Sequence, residues 1–536
     1  MNGSTSRRRS RTAGHRSIPI VLASLLAVVL IIRAAAGADD KETDASQAAE
    51  RARLVARIDS RFVETWKQAG FEPAPPADDA EFIRRVFLDL TGVIPRVSEV
   101  RDFLRDPSTD KREQLIDRLL ESPRHATHLA NLWRNILIPG GATPENINSA
   151  AGVQNWMRAQ FAENLRYDRL VADFLVVTSG NETGPALFYT TLELKPEKLA
   201  AATARIFLGL QIECAQCHHH PFDKWKQEEF WGYAAFFAQL RQPNRAGEVS
   251  PQLSIFDLSA GEVQIPGTST IVAPAFPDGK KPRLDETGTR REQLAIWMAS
   301  RDNPYLPRAA VNRVWAHLFG RGLVEPVDDI GPHNPPSHPE IMDELTTYFI
   351  NSGFDLRELY RTVARTRAYQ LSSAGDASAP PESFARMELK PLTGDQMFDS
   401  FERLRLASRA ATDELNVATP RAEPRRQMFL VKFPPPGRSA TEYQSGVLQA
   451  LTLLNGQTTA ELTRAQEGGI TSAVDSPLFA AEERVRILFL ATLARLPEPD
   501  ELSQFTQHLN SGPPAPQALE DILWTLMNTA EFSFNH

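Results

Sequence analysis

One spacing recurs along most of this chain: apolar residues three and four positions apart, in runs that stop at Gly, Pro or Asp. Such a period suits helices that bury one face, and it leaves little room for an extended sheet. Glu81–Leu90 places Phe82, Val86 and Leu90 on one stripe. Asp110–Leu120 follows Ser108-Thr109, which offers N-cap oxygens, and groups Leu115, Leu119 and Leu120. Arg124–Leu137, Gln154–Leu165 and Leu170–Val177 continue the pattern. Pro196 then opens a helix predicted from Glu197 to about Cys217, since proline suits a first helical position.

Between Gln242 and Arg290 the character changes. Pro243, Pro251, Pro266, Pro274, Pro277 and Pro282 fall here, with short β-branched runs such as Thr268–Ala273. Helices are expected again at Arg291–Ala299, Ala309–Phe319, Glu340–Asn351 and Leu356–Arg365. Further ones are expected at Gly394–Ser408, Gln444–Leu454, Ala480–Ala494, Glu501–Leu509 and Leu519–Ala530. At 536 residues the chain is too long for one small domain. The expected fold is mainly α: two helical domains, 39–241 and 291–536, joined by a Pro-rich, partly β linker or insert at 242–290. One motif echoes at a distance of 402 residues. Phe87-Leu88, Pro95, Glu99 and Phe103 return as Phe489-Leu490, Pro497, Glu501 and Phe505, in each case helix, proline turn, short amphipathic helix. Duplication and convergence on one stable hairpin explain the echo equally well.

The first 38 residues read as an address. Arg7–Arg9, Arg11 and Arg16 form a basic region, Ile18–Ile32 is an apolar run, and Ala36-Gly37-Ala38 fits a small-x-small cleavage site. As a helix that run spans roughly 22 Å, short of a ~30 Å bilayer core. A signal peptide and a secreted or periplasmic body are therefore expected, with an uncleaved membrane-associated anchor as the alternative. These residues hold no acid, so the body is more acidic than the whole-chain charge of −8. An acidic body is a poor polyanion binder, which argues against nucleic acid as a partner.

The chain's two cysteines stand three apart, in Cys214-Ala-Gln-Cys217-His218. On a helix, residues i, i+3 and i+4 share a face, so the three side chains converge. Two thiols there can form thioethers with the vinyl groups of a haem, and the imidazole can ligate its iron. Covalent haem c, with Cys214 and Cys217 as attachment points and His218 as proximal ligand, is the leading reading, and a redox partner protein follows from it. Trp225, Phe230, Trp231, Phe236 and Phe237 could wall a macrocycle. The opposite ligand is open, with His338, His317 and Met298 as candidates. Zinc held by Cys214, Cys217 and two of His218, His219 and His220 is the alternative cofactor. A thioredoxin-like disulfide is disfavoured because its cysteines belong at the start of a helix.

Several longer motifs resemble a known pairing. Arg85-Val-Phe-Leu-Asp-Leu-Thr-Gly-Val-Ile-Pro95, Lys111–Pro123 and Phe207-Leu-Gly through Cys-Ala-Gln-Cys-His-His-His-Pro-Phe-Asp-Lys-Trp225 resemble a planctomycete-specific cytochrome domain. Asp302-Asn-Pro-Tyr305, Val311-Asn-Arg-Val-Trp315, Leu318-Phe-Gly-Arg-Gly-Leu-Val324, Asn334-Pro-Pro-Ser-His-Pro339 and Leu448-Gln-Ala-Leu-Thr-Leu-Leu-Asn455 resemble its usual C-terminal partner. The resemblance covers nearly all of the chain beyond the leader. It implies membership of a largely uncharacterised family whose cytochrome label rests on the same Cys-x-x-Cys-His. Some relatives carry cysteines where Ser439–Gln444 stands here, so a second metal or disulfide site is not expected.

Ala309–Pro339 is a second polar cluster, with Asn312, Arg313, His317, Asp328, Asp329, His333, Asn334, Ser337 and His338. One reading is a pocket in which Asp328 or Asp329 orients His338 as a base, or in which His338 caps the haem. The other is a loop that satisfies backbone groups, with Ser337 as N-cap of the helix opening at Pro339. A non-haem extracellular hydrolase or polymer-binding module, centred on Asp329 and His338 with a structural metal at the Cys/His run, is the alternative function.

Overall fold

The computed structural model describes residues 3, 45–138, 147–177, 183–219, 223–241, 255–283, 288–375, 378–405, 407, 424–433, 454, 464 and 469–536. The leader 1–38 (apart from Gly3), His220, Ser439–Gln444 and nearly all of the expected helix Gln444–Leu454 lie outside them. Two compact units divide the chain, Met1–Leu54 and Val55–His536. In the first, residues 45–54 are helical. Among the described residues no helix is long and apolar enough to cross a membrane.

The second unit is mainly α. Helix α1 occupies 55–69, with Ile58, Phe62 and Trp66 buried along one stripe. Helix α2 (Asp79–Thr91) starts where the Asp78 side chain accepts the Glu81 N–H and stops at Gly92, which sits at φ +72°. Then come α3 (Val97–Arg105), α4 (Lys111–Glu121), α5 (Pro123–Leu137), α6 (Ile147–Ala162), α7 (Tyr167–Val176), α8 (Thr183–Thr191) and α9 (Pro196–Thr203). Helix α10 (Gln227–Ala234) precedes the strand pairs. After them follow α11 (Arg290–Met298), α12 (Leu306–Phe319), α13 (Pro339–Asn351), α14 (Leu356–Ala364) and α15 (Gly394–Arg405). The 242–290 stretch does carry short strands. Leu240–Arg241 pairs with Phe256–Asp257, and Val263–Gln264 with Ile271–Val272, both antiparallel. A third pair joins Lys390–Pro391 to Phe534–Asn535.

One expected helix is corrected. The run from Glu197 does not reach Cys217: α9 gives way to a π-turn at Ala204–Leu208, and Gly209 at φ +66° ends it. The glycine is required twice. A side chain disfavours that left-handed backbone, and a Cβ would lie 2.8 Å from Ile330 Cδ1. The N-cap of α13 is also His338 rather than Ser337.

Packing runs across the 242–290 stretch. Leu88 and Ile94 share a buried cluster with Phe398, Phe401, Val485, Leu488 and Phe532. Arg84 and Arg85 of α2 are fully buried and act as staples. Arg84 donates to the carbonyls of Thr492, Glu531 and Phe532, and Arg85 to those of Tyr369, Leu371 and His536. The echoed motifs adopt the same geometry. Glu99 accepts the Arg96 N–H at 2.7 Å, and Glu501 accepts the Glu498 N–H at the same distance.

Candidate functional site

Past Gly209 the chain makes a single 3-10 turn, Glu213–Gln216, closed by the Ala215 N–H on the Ile212 carbonyl. Ala215 is buried and anchors the turn, while Cys214 and Cys217 are free and exposed. Cys214 lies within the turn and Cys217 is its C-cap, three residues on.

The adjoining histidines are sorted by their partners. His218 Nδ1 lies 2.7 Å from the His219 carbonyl, which can only accept, so a neutral His218 carries its proton on Nδ1 and keeps the Nε2 lone pair. His219 Nδ1 lies 3.1 Å from the Gln227 backbone nitrogen, which can only donate, so a neutral His219 carries its proton on Nε2. Helix α10 holds the turn from outside. Gln227 Nε2 donates to the carbonyls of Gln216 and Cys217, each at 3.1 Å, and Trp231 Nε1 donates to Gln216 at 3.1 Å.

The donor set fits covalent haem attachment in its chemistry: two accessible thiols three residues apart, followed by an imidazole whose Nδ1 is hydrogen-bonded. The aromatic residues fit less well. Trp225, Phe230, Trp231, Phe236 and Phe237 are buried against other protein groups, Phe236 stacking on Phe276 at 4.9 Å, so they are core and not a waiting wall. Among the described residues no three His, Cys, Asp or Glu side chains are grouped to hold a metal ion.

The second polar cluster lies beside this turn. The Ile330 N–H donates to the Gly209 carbonyl at 2.8 Å, and Gln211 Nε2 to Asp328 Oδ1 at 3.0 Å. His333 sits between Asp329, at 3.1 Å, and Asp223, at 3.5 Å. Two signals far apart in sequence therefore meet on one surface. His338 is elsewhere. It is 7% exposed, packed on Phe62 and Phe384 at 4.9 and 5.6 Å between ring centres, and bonded through Nδ1 to Ser337 Oγ. Burial pushes it down to about 4. Asp329 bonds His333, so Asp329 and His338 do not form a base with its orienting acid. Met298 is fully buried on α11, and His317 is half-buried on α12, bonded to Tyr360 and His128.

That last contact belongs to a buried polar cluster that the sequence reading missed. His317 Nδ1 is 2.9 Å from the Tyr360 hydroxyl, and the Nε2 atoms of His128 and His317 face each other at 3.3 Å. His125 Nδ1 donates to the Leu90 carbonyl at 2.8 Å. Desolvation lowers His125 to about 4, lowers His128 to about 3, and holds His317 well below the ordinary imidazole range. Nearby, Asp89 Oδ1 meets Lys390 Nζ at 2.6 Å and Asn535 Nδ2 at 2.7 Å, while Oδ2 accepts from Tyr369 at 2.8 Å. Burial pushes the acid up and the amine down, against the attraction between them. One signal was available: Asp89 interrupts the apolar Val86–Leu90 run on a helix otherwise bound for the core.

Residues 57–242 match the family model PSCyt2, a protein of unknown function (DUF1549). Residues 290–442 match PSD1, a protein of unknown function (DUF1553). The chain carries the PSCyt2–PSD1 pairing. This is the uncharacterised two-domain planctomycete-type arrangement, in the order the motifs implied. The PSCyt2 name suggests a cytochrome-like domain, and the Cys-x-x-Cys-His run lies inside the PSCyt2 segment. The loop carrying Asp328, Asp329 and His333 lies inside the PSD1 segment, so the Gln211–Asp328 and His333–Asp223 contacts join the two matched segments. No curated protein and no solved structure matches the chain.

Proposed function

We propose that this PSCyt2–PSD1 chain is an exported c-type haem protein working in electron transfer or haem-based redox chemistry with a redox partner protein. Cys214 and Cys217 are the thioether positions and His218 is the proximal ligand. The observation that carries the reading is the pairing of two exposed thiols on one turn with a His218 whose Nε2 is left free by the Nδ1 hydrogen bond. A haem held there supplies one-electron chemistry at its iron. The chain's own residues supply the two nucleophilic sulfurs, the imidazole lone pair, and an α10 amide and indole that fix the turn. The basic leader and the apolar run after it support export to a compartment where such attachment is made.

The test is expression in a host able to mature cytochromes c. The expected product has a Soret band that survives acid-acetone extraction and a mass increase of ~616 Da. Bare polypeptide with both thiols free overturns the reading. Stoichiometric zinc without iron would replace it with a structural metal site.

A further inference from the structure

The carbonyls at the end of a short helical turn have no amide partners of their own, and an exposed turn loses them to water unless another group takes them up. At the dithiol turn that group is one side chain. Gln227, first residue of α10, reaches back with its amide to the carbonyls of Gln216 and Cys217, both at 3.1 Å, and is itself only half exposed. Its backbone N–H, one of the free donors at the start of α10, is taken by His219 Nδ1. The base that Gln227 stands on is firm. Lys226 N–H is accepted by Glu229 at 2.8 Å, and one turn later the buried Trp231 adds its own bond to Gln216.

We propose that Gln227 is the positioning residue of the Cys214–Cys217–His218 donor set, holding the end of the turn so that both thiols reach one bridging partner. The inference deepens the haem reading and rests on it for its biological meaning, but the clamp is a property of the apo chain. Trp231 bonds only the Gln216 carbonyl, whereas Gln227 also holds that of Cys217 itself, so the spacing of the sulfurs follows Gln227. Glutamate has the same length but no donor, and an acid in a first helical turn is favourable. Gln227→Glu therefore removes the clamp and leaves α10 intact.

The probe is phenylarsine oxide, added to the full reduced chain. It condenses with two thiols: two As–S bonds form, and its oxygen leaves as water with the two thiol protons, with no change of oxidation state. The wild-type chain is expected to take one equivalent far more tightly than Cys214→Ser, which can offer only one sulfur. Gln227→Glu and Gln227→Ala are expected to bind the arsenical about tenfold more weakly, with helical circular dichroism and melting temperature unchanged in the Glu variant. If both variants bind as the wild type does, or if the wild type binds no better than Cys214→Ser, the proposal is overturned. Covalent haem loading is scored separately in the maturation host. A wild-type chain that takes no haem ends the cofactor reading, while the arsenical comparison still decides the role of Gln227.

Discussion

At Asp89 the chain buries a carboxylate whose oxygens are met by Lys390, Asn535 and Tyr369. A buried ion pair contributes little relative to a well-packed apolar pair, but removing one member strands the other. Lys390→Met is therefore expected to cost about 3–5 kcal/mol, and the double variant Asp89→Asn with Lys390→Met clearly less; urea denaturation of the two single variants and the double one measures the difference. The histidines next to it set a pH dependence. His125 and His128 stay neutral in the folded chain down to about 4 and about 3, whereas in the unfolded chain they take up protons below the ordinary imidazole value of 6.5. Between those limits the unfolded state binds more protons, so stability is full above pH 6.5 and falls as the pH drops towards 3. Urea midpoints at pH 7.5, 5.5 and 4.5 should decline in that order, and His128→Gln should flatten the decline.

Among the elements, the segment from α9 to α10 differs most from its sequence pattern. The apolar spacing of Leu199, Ile206 and Leu210 continues through the stop, so periodicity alone extends the helix to Cys217. Gly209 was the visible stop signal, and its second role, room for Ile330, depends on a loop more than a hundred residues away. Gly209→Ala is expected to destabilise by about 1–2 kcal/mol from backbone handedness alone. It should also raise hydrogen exchange at Ile330, whose amide bonds the Gly209 carbonyl. Elsewhere the pattern was legible. α2, α5, α12, α13 and α14 lie within a few residues of their expected bounds, because each has a marked start or stop such as Asp78, Ser122 or Gly320. Ile58, Phe62 and Trp66 were an unread stripe of the same kind. The echoed hairpins share a cap, Glu99 and Glu501 serving Arg96 and Glu498 alike, which a common turn explains with or without duplication.

For the whole molecule, the segments matched by PSCyt2 and PSD1 are joined by more than the chain between them. The Cys/His turn was legible because its chemistry is local, three donors within five residues. The Asp223–His333–Asp329 contacts were not, since nothing in their spacing reports that the loop meets the segment around the turn. The Arg84 and Arg85 staples were equally hidden, because an arginine in a helix usually points to solvent. Arg84→Met leaves at least three carbonyls without their donor, and a loss of about 3 kcal/mol or more is expected in chemical denaturation. A fragment ending at residue 289 should lack a cooperative melt and bind the dye ANS, whereas the full chain should not. The staple also has a bearing on synthesis. Arg84 reaches the Phe534 carbonyl across 450 positions, and a ribosome adds roughly 5–20 residues per second. The arginine's pocket is therefore unfinished for some tens of seconds after that residue emerges, an interval in which a chaperone can hold the nascent polypeptide open.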